Sequence, residues 1–70
     1  MKDQKSLEIG QRIKGYRLKA GLSQAGLAEL AGIQPNTLAR LERGEHRISN
    51  STIEKLAKVL KVTATDILNY

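Results

Sequence analysis

Gly21, Gly32, Pro35 and Gly44 cut this chain into pieces too short for anything but short helices. Within the pieces, apolar residues recur at three- and four-residue spacing, which is one face of an α-helix, and no stretch alternates as a strand does. The first helix is expected over about residues 6–20, with Ser6 as N-cap and Ile9, Ile13, Tyr16 and Ala20 inward. Gly10 and Gly15 each weaken it by about 1 kcal/mol relative to Ala, so packing must hold it. Ser23 caps a second helix, 24–31, with Leu27, Leu30 and Ala31 inward and Gly32 just past its end. Pro35 suits only the first turn of a helix and opens the third, 35–43, in which Leu38 and Leu41 face inward. Ser49 caps a fourth, 50–60, whose Ile53, Leu56, Ala57 and Leu60 fit i, i+3, i+4, i+7. Thr63 and Asp66 read as a capping box opening a last short helix, 64–69. The expected fold is all-α: five short helices around one aliphatic core, in a single domain over residues 1–70.

Composition narrows the function. Twelve Lys and Arg against seven Asp and Glu leave a net charge of +5, which suggests a polyanionic partner. There is no Phe or Trp, so the core must be Leu, Ile, Val and Ala. Without Cys, a disulfide scaffold and a thiolate zinc site are excluded, and a single histidine, His46, excludes a His-rich metal site. No cofactor is implied. No apolar run approaches the roughly 18 residues of a membrane span, and no signal-peptide pattern opens the chain; a cytoplasmic, reduced setting is expected. Nothing supports an enzyme. There is no Cys–His pair, no Ser/His/Asp set around His46 and no phosphate-cradling glycine loop, and a small helical domain has little room for a closed pocket.

The most informative segment is SQAGLAELAGIQPNTLARLERG, Ser23 to Gly44. Ala28 is small where the next helix must cross closely, Gly32 supplies a sharp turn and Ile33 plugs the corner. Leu27, Ala31, Leu38 and Leu41 bury the two helices against each other. Two helices crossing at about 90–120° need this spacing. Gly26 stands on what should be an exposed face, where nothing in the sequence accounts for it.

This segment resembles the helix-turn-helix of the Cro and phage-repressor type, the XRE family. The resemblance extends over Ile9 to Leu68, through "RIKGYRLKAGLSQ", "LARLERG" and "TIEKLAKVLKVTATDIL". It implies a lambda-repressor-like DNA-binding domain whose third helix lies in the major groove. Base-contacting positions fall on Gln34, Pro35, Asn36, Thr37 and Arg40. Asn36 suits adenine and Arg40 suits guanine O6 and N7. Phosphate-contacting positions fall on Ser23 and Gln24 at the second helix's N-terminus, on Arg43 and Arg47 around the following loop, and on Arg12. Arg17 and Glu42 match positions that pair between the first and third helices, with a phosphate role for Arg17 as the alternative. Two departures shift the reading load. Gln34 stands where Ser or Thr often caps, and Pro35 where a hydrogen-bonding residue is common, so direct readout should rest on Asn36 and Arg40.

The resemblance further implies a bacterial or phage-type transcriptional regulator, a repressor, working at the nucleoid as a homodimer on an inverted-repeat operator. The last helix, with Ile67, Leu68 and Tyr70, is the expected self-association surface. The alternative on the same fold is an antitoxin-like or regulator-sequestering protein-interaction module. Short flanks, about five residues before the helical core and two after, favour a bare DNA-binding unit; they also suit a domain of a longer protein. Lys55, Lys58 and Lys61, opposite the Ile53–Leu60 stripe, read as a solvated face, with a DNA or partner contact as the alternative. His46 reads as an inert loop residue.

Overall fold

The computed structural model describes residues 4–45 and 48–68. Among these residues five helices follow one another: α1 (Gln4–Lys19), α2 (Gln24–Ala31), α3 (Pro35–Glu42), α4 (Asn50–Leu60) and α5 (Ala64–Leu68). Among the described residues there is no strand, and no helix is long and apolar enough to cross a membrane.

Most helix ends carry the expected signals. Ser23 Oγ accepts the Gly26 N–H at 2.9 Å, and Ser49 Oγ accepts the Thr52 N–H at 3.2 Å. The box at α5 closes both ways: Thr63 N–H donates to Asp66 Oδ2 at 2.9 Å, and Asp66 N–H donates to Thr63 Oγ1 at 3.0 Å. Past α2, Gly32 adopts φ 72° while Ile33 N–H donates to Ala28 O at 2.9 Å. These bonds satisfy carbonyls that the end of the helix leaves without partners. α4 ends the same way, but with Lys61 at φ 59° and Val62 N–H on Ala57 O. A side chain in that left-handed region is strained where glycine is not. Lys61→Gly is therefore expected to raise stability by about 0.5–1 kcal/mol, seen as a higher urea midpoint at unchanged slope. An unchanged midpoint would mean that the left-handed turn carries no strain.

α1 packs against α3, α4 and α5, and α2 against α3 and α4. Ile13, Leu27, Leu38, Ile53, Leu56 and Ile67 are the large side chains fully buried at the centre. Tyr16, Ile33 and Ile48 pack at its rim, half-buried. Ala28 is completely buried in α2. Gly10 lies where α1 meets the end of α3: a Cβ there would meet the Leu41 and Glu42 carbonyl oxygens, the latter at 2.8 Å. Gly15, one and a half turns on, has nothing within 4 Å of such a Cβ.

Four expectations are corrected. Ser6 is not a cap but lies inside α1, which starts at Gln4; Leu7, packed against Gly44, sits in that first stretch. Ala20 falls outside the helix and is exposed. Leu30 is 63% exposed. At about 100° per residue, Leu27, Ala28 and Ala31 define the inward arc and Leu30 falls about 110° from its centre. Ile67 is fully buried in the chain's own core, so it is unavailable to a second copy. Leu68 is half-buried, and Tyr70 lies outside the described residues.

Candidate nucleic-acid interface

α3 is divided lengthwise. Leu38, Leu41 and Glu42 are buried on one side. Asn36 and Arg40, four residues apart, stand exposed together on the other. At the N-terminal end Gln34 and Pro35 are exposed, and Thr37 is half-buried at the edge. Gln34 occupies the N-cap position with no side-chain capping bond, and Pro35 occupies the first turn. Gln34, its amide not used in capping, thus stands at the same end of α3 as Asn36. Ala39, missed in the sequence reading, is half-buried three residues after Asn36. It borders this face and offers a methyl-sized apolar surface. The helical period alone would have found it.

A buried node fixes α3 against α1 and α2. Arg17 Nε donates to Glu42 Oε2 at 2.7 Å and Arg17 Nη2 to Oε1 at 3.0 Å, a two-pronged pair. The side chains are only 9% and 3% exposed. Arg17 Nη1 also donates to Leu22 O at 2.9 Å. The hydrogen bond to Glu42 raises the guanidinium above its ordinary pKa; burial opposes this and the Glu42 charge adds to it. Gln24 Nε2 donates to Glu42 Oε1 at 3.0 Å. The side chain expected to meet phosphate is thereby tethered over the ion pair at the opening of α2. Ser23 and the first N–H groups of α2 share that end, where unpaired donors and the helix dipole favour an anion. The position of Gly26 is now explained in part: its N–H bonds Ser23 Oγ, and a Cβ would lie 3.1 Å from that oxygen.

The remaining phosphate candidates divide. Arg43 is exposed and forms a forked pair with Glu45, at 3.0 and 3.3 Å. Arg47 and His46 lie outside the described residues. Arg12 is on another flank: its Nη1 donates to Ile67 O at 3.3 Å, tying α1 to α5. Among the described residues no three His, Asp or Glu side chains gather as metal ligands would.

Comparison with known proteins meets this geometry at the motif. The sequence model of the family described as Helix-turn-helix matches residues 13–67. The chain belongs to that family. This helix-turn-helix chain is 42% identical over 62 residues to the HTH-type transcriptional regulator SinR of Bacillus licheniformis, covering 87% of this chain and 56% of SinR. It thus spans little more than half of that relative. Among solved structures, the restriction-modification controller protein C.AhdI from Aeromonas hydrophila superposes with a TM-score of 0.86 at 34% identity, covering 89% of this chain and 94% of that one. SinR in complex with DNA superposes at 0.83 with 41% identity, covering 86% and 97%. The all-α class expected from the residues and the helix-turn-helix family expected from the resemblance are those found.

Proposed function

We propose that this chain is a transcriptional regulator, a repressor, that binds double-stranded DNA by sequence, inserting α3 into the major groove. The observation that carries the reading is the pairing of Asn36 and Arg40 on the exposed face of α3, with the rest of that helix locked beneath them by Glu42, Leu38 and Leu41. Neither side chain serves the core or a cap, and their chemistries match adenine and guanine edges. Gln34, Pro35 and Thr37 extend the contact, Pro35 through apolar surface alone. Ser23, Gln24 and the α2 N-terminus hold one phosphate, and Arg43 and Arg47 hold others. Arg43 exchanges Glu45 for phosphate at little cost, since an exposed pair is worth about 0–1 kcal/mol. The likeness to a SinR chain solved with DNA supports DNA as the partner. Two copies would sit on half-sites about one helical turn apart, with Leu68 of α5 on the self-association face. Such a regulator acts in the cytoplasm, on the nucleoid.

Two variants separate the roles. Arg40→Ala is expected to cost about 1–3 kcal/mol on the preferred site and to relax preference at one base pair of each half-site. Arg43→Ala is expected to weaken all duplexes alike and flatten the salt dependence, whose log–log slope for a dimer covering roughly 5–8 phosphates is about −5 to −7. Binding isotherms on matched and mismatched duplexes across a salt series measure both. If Arg40→Ala weakened every duplex equally, base reading by Arg40 would be wrong.

A further inference from the structure

On the flank of α1 away from the recognition helix, Arg12, Gly15, Tyr16, Lys19 and Asp66 line an open groove of about 480 Å³ between α1 and α5. Lys19 lies nine positions after Gly10, which faces α3; at about 100° per position the two stand about 180° apart around the helix. A duplex engaged by α3 therefore lies on the other side of α1.

Gly15 is the first clue. Glycine in a helix interior is unfavourable, and no internal contact requires it here, since nothing lies within 4 Å of where its Cβ would be. The bare backbone leaves a ledge. Beside it, Leu18 is a large apolar side chain left 58% exposed, and Tyr16 is half-buried. The charges around this ledge are mainly positive. Lys14 and Lys19 are exposed, and Arg12 gives one nitrogen to Ile67 O. The carboxylate in the lining, Asp66, already accepts the Thr63 N–H. A second copy of this chain would bring like charges together, whereas a carboxylate-rich segment would be complementary.

We propose that this groove is a docking site for an acidic peptide segment of a partner protein, which lays a small or apolar residue on the Gly15 ledge and its carboxylates against Arg12 and Lys19. The probe is a displayed library of random dodecapeptides, selected against the whole chain, with the enriched peptide then titrated into ¹⁵N-labelled protein. Enriched peptides should be rich in Asp and Glu around an apolar residue, and should shift the amides of Gly15, Tyr16, Lys19 and Asp66. Gly15→Leu, which fills the ledge without altering charge, should lose about tenfold or more in peptide affinity while keeping duplex DNA affinity. Its unfolding midpoint shows independently that it is folded. Enrichment of non-acidic peptides, peptide shifts centred on α3, undiminished peptide binding by Gly15→Leu, or groove amides that respond to duplex DNA instead would each overturn the assignment.

Discussion

Glu42→Ala is expected to lose about 3–5 kcal/mol of stability, because it strands the Arg17 guanidinium in a buried site. A domain of 70 residues holds roughly 4–10 kcal/mol in all, so the variant should be at the edge of folding at room temperature. The cause is local: the carboxylate accepts two bonds from Arg17 and one from Gln24. Urea unfolding beside Glu54→Ala, an exposed carboxylate on α4, gives the contrast. A double replacement, Arg17→Met with Glu42→Leu, should recover much of the loss, since apolar groups of similar volume remove the stranded charge. If Glu42→Ala cost no more than Glu54→Ala, the node would not be holding the three helices together.

The second large effect is a reversal of sign within one helix. Gly10→Ala gains helix propensity, yet its new methyl meets the Leu41 and Glu42 carbonyls, backbone atoms that cannot turn aside. Forced overpacking of this kind costs about 1–3 kcal/mol, and here it pushes α1 off α3. Gly15→Ala meets nothing and should stabilise by about 1 kcal/mol. Urea midpoints of the two variants, with the parent between them, check the claim; a shift of both in the same direction would contradict it.

These pairs mark where the sequence was readable. Caps, the turn at Gly32, Pro35 and the stripe of α4 follow from local rules, and they placed α2 to α5 almost to the residue. The different duties of Gly10 and Gly15 were not legible, because only the approach of α3 separates them. Leu30 and Ile67 were misplaced for the same kind of reason. A short helix has few inward positions, and its neighbours decide which are filled. On the candidate interface, side-chain chemistry and resemblance placed Asn36 and Arg40 on the outward face and paired Arg17 with Glu42. The bonds from Gln24 to Glu42 and from Arg12 to Ile67 O join residues far apart in the chain, so no spacing rule announced them.

Selection from a random duplex DNA pool at about 0.15 M salt, a screened ionic strength, tests α3 as a reader of sequence most directly. The expected result is an inverted repeat with half-sites about one helical turn apart, in which the positions that lose preference in Arg40→Ala are occupied by guanine. Recovery of no enriched site, with binding that depends on salt alone, would contradict sequence recognition by Asn36 and Arg40.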